Sequence, residues 1–274
     1  MMPGMYPEQD VTMLSVQTNY ASLVAQQNFN ANSDFQTKTI TAITSGLRIN
    51  QSGDDAAGLV QANQYRSQVA ELSQGVLNAN AALSTLQISD GAMNNISTML
   101  DRAKTLATQG ASGGGNDAEF QSLLTEIDRE AGSVSNLPMS VYVGGNSPTV
   151  SVDMSKQAVT TLGLGLNGLA IDSSDGAQAV IAAINGTTGD VGAVAKLGIA
   201  QGIVGAGEND LQYATSLANS QIANTSAAQG RIRDADMAAE AANLTKAQVL
   251  SQASLAAMAQ ANAAPQGVLT LLKG

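Results

Sequence analysis

The sequence predicts a mainly α protein, with long coiled-coil-like helical rods from both termini and a small β-hairpin region in the middle. Three observations carry that expectation. Apolar residues recur at alternating intervals of three and four along the stretch from Tyr65 to Ala107. Aromatic residues are only 3 % of the chain, whereas each one buried in a compact core would remove roughly 150–250 Å² from water. The ends lack charge, with none from Val11 to Ser33 and none from Ala247 to Val268.

The N-terminal stretch MMPGMYPEQDVTML has no basic region leading into an apolar core, so no cleaved secretory signal is expected. Asp54-Asp55 stand just before Ala56-Ala57-Gly58-Leu59, where carboxylates cap free N–H groups at a helix start and oppose its dipole. From Tyr65 the run Val69, Leu72, Val76, Ala79, Leu83, Leu86 keeps its spacing, slips near Met93, and resumes as Ile96, Leu100, Ala103, Ala107. A repeat held this long indicates a helix packed along a seam. Asp54 to Thr108 makes a rod of roughly 80 Å, ended by the Gly/Ser cluster Gly110 to Gly115. Phe120, Leu123, Leu124, Ile127, Ala131 and Val134 share a face of a second helix, stopped by Pro138, and the two form a helical hairpin.

Beyond it, Val141 to Val143 and Thr149 to Met154 flank turn residues and predict a β-hairpin. A Gly-rich stretch (Leu162 to Gly168), a short apolar helix (Ala177 to Ile184) and further Gly punctuation to Gly207 follow. Helical spacing returns at Glu208 and continues to about Asn262, closed by Pro265 and Gly267. The last helix carries Leu250, Ala253, Leu255, Ala256, Ala257, Met258 and Ala259 nearly all round, and a helix apolar on every side must be buried on every side. A chain drawn out into rods cannot enclose both ends, so the sharper reading surrounds them with other copies of the same chain, folding on assembly. The alternative buries one end in a bundle and lets the other fray.

Composition closes off several functions. With 12 Lys+Arg against 22 Asp+Glu the net charge is −10, which repels nucleic acid and anionic membrane surfaces. No long apolar window suggests membrane insertion. With no Cys there is no disulfide or thiolate, and with no His there is no partner for a nucleophilic Ser. The Gly-rich stretches around Gly113 and Gly163 lack the Gly-Lys-Ser/Thr ending of a phosphate loop. Asp54-Asp55 have no third spaced acid to complete a cation site. No catalytic residue, metal or cofactor is expected. The charged knot of Arg231, Arg233, Asp234 and Asp236 reads either as a solvated face with i,i+3 pairs or as a register-setting junction.

Leu14 to Phe29 (LSVQTNYASLVAQQNF), Ser45 to Asn63 (SGLRINQSGDDAAGLVQAN), Asn78 to Leu106 through LQISDGAMNNISTMLDRAKTLA, Glu126-Ile127-Asp128-Arg129 and Arg231 to Gly274 together resemble bacterial flagellin, subunit of the flagellar filament. Two matching ends with a divergent middle are hard to obtain by chance. The resemblance implies an inner core domain from residues 1–47 and 234–274 and an outer rod domain from 48–137 and 204–233. The divergent surface region, 138–203, has room for a hairpin and little else, so a thin filament is expected. It implies an extracellular homopolymer serving swimming motility, exported without a cleaved signal by way of a flagellar export chaperone that holds the C-terminal helix. Hook-associated and cap proteins are the further partners.

On that reading the polymer interface includes Leu14, Tyr20, Leu23, Val24, Arg48, Asn50, Asp54, Leu59, Leu250, Leu255, Met258, Val268 and Leu271. Arg102, Leu106 and Glu119 match positions at which host flagellin-sensing receptors grip some family members, although Lys104 and Thr105 replace the family's usual Arg-Glu. Other departures are about ten residues ahead of the usual start, Leu137-Pro138-Met139 where Phe-Asn-Gly is usual, and Glu208-Asn209-Asp210 where Gln-Asn-Arg is usual. A His-containing zinc protease insert, found in some flagellins, is excluded by the lack of His. Ser147, Thr149 and Ser173 are surface candidates for glycosylation. The rivals are a hook–filament junction protein, which stops at a short ring, and a secreted monomeric adhesin or immune ligand.

Overall fold

The computed structural model describes residues 19–134, 139–145, 149–153, 159–187 and 190–273. In chain order they form α1 (Tyr20–Ser45), α2 (Ala56–Ala111), α3 (Asp117–Val134), β1 (Met139–Tyr142), β2 (Thr149–Val152), α4 (Thr161–Leu164), α5 (Ser174–Asn185), β3 (Gly186–Thr187), β4 (Asp190–Val191), α6 (Ala193–Arg233) and α7 (Met237–Lys273). The fold is mainly α, as the spacing predicts, with long helices toward both ends and small antiparallel sheets in the middle. The residues fall into two compact units, one holding those up to Asn63 with those from Gln229 onward, the other Gln64–Ala228.

In the first unit α1 pairs with α7. Asn19 caps α1, its side-chain oxygen accepting the Ser22 N–H at 3.1 Å. Gly46 ends the helix at φ 71°, a left-handed conformation that a side chain disfavours. The linker into α2 is ordered by Asp54, whose Oδ2 accepts the N–H groups of Asn50 (3.2 Å) and Gln51 (3.1 Å). Asp55 supplies the cap, accepting the Gly58 N–H at 2.8 Å. Of the two adjacent carboxylates, one therefore folds the loop and the other starts the helix.

The second unit holds the main hydrophobic core. Leu72, Ala79, Leu86, Met93, Ile96, Leu100, Ala103 and Ala107 of α2 are buried along the predicted seam, across from Phe120, Leu124, Ile127, Ala131 and Val134 of α3. The β1–β2 hairpin, in register Met139↔Val152 to Tyr142↔Thr149, buries Val141 and Val152 in the same cluster, joined by Val143. It lies so close to α2 that a Cβ on Gly75 would fall 2.9 Å from Val143 Cα and nearer still to its carbonyl. Asn78 Nδ2 donates to the Tyr142 carbonyl at 3.3 Å, and the Tyr142 hydroxyl donates to the Glu71 carboxylate. On α3, Asp128 accepts both the backbone N–H and the hydroxyl of Thr161 at 2.8 Å each, and Asp117 accepts the Ile171 N–H at 2.9 Å. These bonds fasten the segment that contains α4.

Four expectations are corrected. Helix α6 begins at Ala193, not near Glu208, and it contains Gly198, Gly202, Gly205 and Gly207. Each interior Gly costs about 1 kcal/mol against Ala, but Ala193, Leu197, Ala200, Val204 and Leu211 are buried at helical spacing and outweigh that cost. The second long C-terminal helix does not run unbroken from Glu208, because the chain leaves helical geometry between Arg233 and Met237. It also does not close near Asn262, since α7 continues through Pro265 to Lys273. Finally, the middle holds more than one hairpin: α4 and the short β3–β4 pair join the expected helix, present as α5, and this region adds Leu164, Leu166, Ile171, Ala177, Val180 and Ile184 to the core.

Candidate assembly interface

Helices α1 and α7 run antiparallel, as the order of their contacts shows: Asn19 Nδ2 donates to the Ala261 carbonyl at 2.7 Å and Asn32 Nδ2 to Ser254 Oγ at 3.0 Å. Nearer the other end, the Ala235 N–H donates to the Gly46 carbonyl at 2.9 Å. Ala261 lies four residues before Pro265, which has no N–H to offer it, so the Asn19 amide fills the vacancy that the proline creates.

The side chains that meet along this pair are mostly small or polar, joined by Phe29, Leu244 and Met258. Ser22, Ala25, Phe29, Asn32, Gln36 and Thr39 recur at intervals of three and four on α1 and are buried or half-buried. Leu244, Ala247, Ser251, Ser254, Met258 and Ala261 do the same on α7. Several other large apolar side chains face the other way. Tyr20 is 74 % exposed, Leu23 57 % and Leu255 50 %, with Val24, Ile40, Val249 and Leu250 also exposed. Ordinary amphipathic helices put bulk inside and small or polar groups outside. Here the arrangement is reversed.

Of the sequence-derived interface candidates, Tyr20, Leu23, Val24, Leu250 and Leu255 are thus all exposed on the α1–α7 pair. Met258 is half-buried along the seam, and Leu59 is half-buried near the start of α2. Leu14 lies outside the described residues, and Val268 and Leu271 fall on the last turns of α7. Phe35, Ile40 and Val249 are exposed apolar residues that the spacing argument did not single out; their offset from the heptad seam on a helical wheel was the available signal.

Arg48, Asn50 and Asp54 come together with Lys38, Thr41 and Glu240 around an open groove of about 400 Å³. Their own contacts are within the chain. Arg48 donates its guanidinium to the Ile232 carbonyl (2.7 Å) and its backbone N–H to the Arg233 carbonyl (2.7 Å). Arg233 Nε reaches back to the Ile49 carbonyl at 3.3 Å, and Asn50 donates to Ser45 Oγ at 2.7 Å. The charged knot shows no i,i+3 ion pair among the described residues and is not idle: Arg233 clasps a backbone carbonyl, and Asp236 caps α7 by accepting the Ala238 and Ala239 N–H groups. Ion pairs among the described residues include Arg102–Glu119 and those of Arg129 with Glu126 and Glu130. The hydrogen bonds from Arg129 hold the Glu126 carboxyl below its usual range, helped by the positive charge of the same guanidinium.

Arg102 and Glu119 are bonded to each other across the helical hairpin at 2.5 Å and are exposed to half-exposed, whereas Leu106 is 1 % exposed and part of the core. A visiting protein touches Leu106 only if the core opens. Among the described residues no group of three or more His, Cys, Asp or Glu could hold a metal ion, and no helix is long and apolar enough to cross a membrane.

A helix pair with a seam of mostly small or polar residues and bulky apolar residues left exposed is the build of a structural subunit whose terminal helices are left for neighbours to cover. Comparison with known proteins gives that class its family. The profile of the bacterial flagellin N-terminal helical region matches residues 16–146, and that of the bacterial flagellin C-terminal helical region matches residues 190–272. The flagellin of Halalkalibacterium halodurans is 32 % identical over 93 % of this chain and 98 % of its own length. That of Bacillus subtilis is 29 % identical, covering 95 % and 100 %. The flagellar filament 33 kDa core protein of Treponema phagedenis is 32 % identical, covering 93 % and 98 %. The chain belongs to the bacterial flagellin family, a family of structural subunits of the flagellar filament.

Proposed function

We propose that this chain polymerises through its α1–α7 pair into the extracellular flagellar filament used for swimming. The observation that supports this most is the outward set of Tyr20, Leu23, Val24, Leu250 and Leu255 on a charge-poor helix pair. Covering one such side chain is worth about 1.5–3 kcal/mol, and each subunit in a filament meets several neighbours. Contacts that join unlike faces and fail to close into a ring extend without limit, which is the geometry of a filament.

On this reading residues 1–47 and 234–274 form the inner core, 48–137 with 204–233 the outer rod, and the divergent 138–203 lies at the filament surface. The groove beside Arg48, Asn50 and Asp54 receives polar side chains of an adjacent subunit. Export proceeds without a cleaved signal, with a chaperone covering the apolar face of α7 until secretion, and hook-associated and cap proteins contact the same terminal helices at the filament's ends. A host receptor would have Arg102 and Glu119 to grip, but not the buried Leu106. Relatives named flagellin and flagellar filament core protein do not favour the hook–filament junction or monomeric ligand readings.

The test is seeded self-assembly of the purified chain, viewed by negative-stain electron microscopy beside a variant truncated after Arg231. Long filaments from the full chain and none from the truncation support the proposal. Short rings would point to the junction protein, and soluble monomers with stable terminal helices to the monomeric ligand; either result overturns it.

A further inference from the structure

The chain contains two Asn-Gly sequences, Asn167-Gly168 and Asn185-Gly186, and the fold treats them in opposite ways. Asn-Gly is the pair most open to a backbone reaction, because Gly has no side chain to shield its nitrogen. Asn167 and Gly168 form the tip of a turn between the buried Leu166 and the half-buried Leu169, closed by a long Leu169 N–H to Leu166 carbonyl bond of 3.4 Å. Both tip residues are exposed, Gly168 has φ +75°, and a Cβ placed on it would meet nothing within 4 Å. Among the described residues neither the Asn167 amide nor the Gly168 N–H has a hydrogen-bond partner.

Asn185 is the last residue of α5, held in helical geometry. The Gly186 N–H donates to the Ala182 carbonyl, and Gly186 pairs with Val191 in the β3–β4 ladder, with Gly192 packed against its nitrogen. That nitrogen is engaged and cannot reach the Asn185 side chain unless the helix end and the ladder both open.

We propose that Asn167 is a site of spontaneous deamidation and that Asn185 is protected from it. The Gly168 amide nitrogen, on losing its proton to base, attacks Asn167 Cγ; an N–C bond forms, the Cγ–NH2 bond breaks, and ammonia leaves with a proton from solvent. The resulting succinimide adds water at either carbonyl, giving aspartate or isoaspartate, with no change in oxidation state. The turn gains a negative charge, and in the isoaspartate product an extra methylene in the main chain. Gln121 Nε2, which donates to the Leu169 carbonyl at 2.9 Å, and the buried Leu166 hold the flanks, so the lesion stays local.

The experiment incubates the purified full-length chain at mildly alkaline and mildly acidic pH, then maps peptides by mass spectrometry and labels isoaspartate with protein isoaspartyl methyltransferase. A parallel sample is unfolded in urea. The expected result is conversion at Asn167 about tenfold or more faster than at Asn185 in the folded chain, since opening a hydrogen-bonded helix end is required only at Asn185. The reaction should be faster at alkaline pH, and the two sites should converge in urea. The methyltransferase signal should be lost in Asn167→Gln. Equal rates in the folded chain overturn the proposal, and so does a preference for Asn167 that persists unchanged in urea, which would place the cause in local sequence rather than in the fold.

Discussion

Replacing Gly75 by Ala isolates the contact that seats the hairpin on α2. In the middle of a helix this change ordinarily stabilises by about 1 kcal/mol, because Ala has less backbone entropy to lose. At Gly75 the new methyl would fall 2.9 Å from Val143 Cα and closer to the carbonyl beside it, so main chain rather than a flexible side chain must move. Overpacking of this kind costs about 1–3 kcal/mol, and lifting the hairpin also strains the Asn78 and Glu71 bonds to Tyr142. The net expectation is a loss of about 1–2 kcal/mol, or a fall in Tm of roughly 2–8 °C. Gly91→Ala is the control: Gly91 is an exposed residue of the same helix, with nothing within 4 Å of its added Cβ, and should gain about 1 kcal/mol. Urea and thermal unfolding followed by circular dichroism measure both. If Gly75→Ala is as stabilising as Gly91→Ala, the close seating of the hairpin is refuted.

The Tyr142 phenol is pushed above the ordinary tyrosine range by its hydrogen bond to Glu71, with burial and the Glu71 charge adding to the effect. Its bond therefore contributes fully below pH about 10 and is lost as pH rises through the elevated value; ultraviolet titration of the chain against Tyr142→Phe should show Tyr142 ionising above the ordinary tyrosine range. Asp128→Ala strands the buried Thr161 hydroxyl and should cost about 1–3 kcal/mol in urea unfolding, with Asp128→Asn recovering part of it. Leu23→Asp and Leu255→Asp should each change monomer stability by less than about 0.5 kcal/mol yet abolish filament growth in seeded assembly. Leu86→Ala, by contrast, should cost the monomer about 2–5 kcal/mol.

What the sequence disclosed depended on periodicity surviving. The α2 seam was legible because Leu72, Ala79, Leu86, Ile96 and Leu100 are large or regularly spaced enough to stand out against polar neighbours. The first half of α6 was not, because Gly198, Gly202, Gly205 and Gly207 argue locally for a loop, and only the burial of Leu197, Ala200 and Val204 by distant residues overrides them. Pro265 misled in the same way, since its vacant carbonyl partner is supplied from Asn19, far away in sequence. At the proposed assembly surface the charge-free ends singled out α1 and α7, but not which of their faces are exposed. The α1–α7 seam includes Ser22, Asn32, Gln36, Ser251 and Ser254, which a hydrophobicity pattern reads as solvent-facing.

That seam composition sets how the two units divide stability. The second unit buries Phe120 with many Leu, Ile and Val side chains, whereas among the described residues the buried ones of the α1–α7 pair are Ala25, Thr39, Ala42 and Ala247. Alanine removes little area from water, and at roughly 25 cal/mol per Å² the pair gains correspondingly little. Ordering a residue costs about 1–2 kcal/mol of backbone entropy, so such a pair stands near the edge of stability by itself. Its local opening should therefore require far less free energy than unfolding of the second unit. Hydrogen exchange on the monomer should show α1 and α7 amides exchanging early, while those of α2 around Leu86 to Leu100 persist. In assembled filaments, with Tyr20, Leu23 and Leu255 covered, α1 and α7 should become as protected as α2. Equal protection of both units in the monomer would mean that the small-residue seam suffices alone, and that the outward apolar side chains are not what completes the fold.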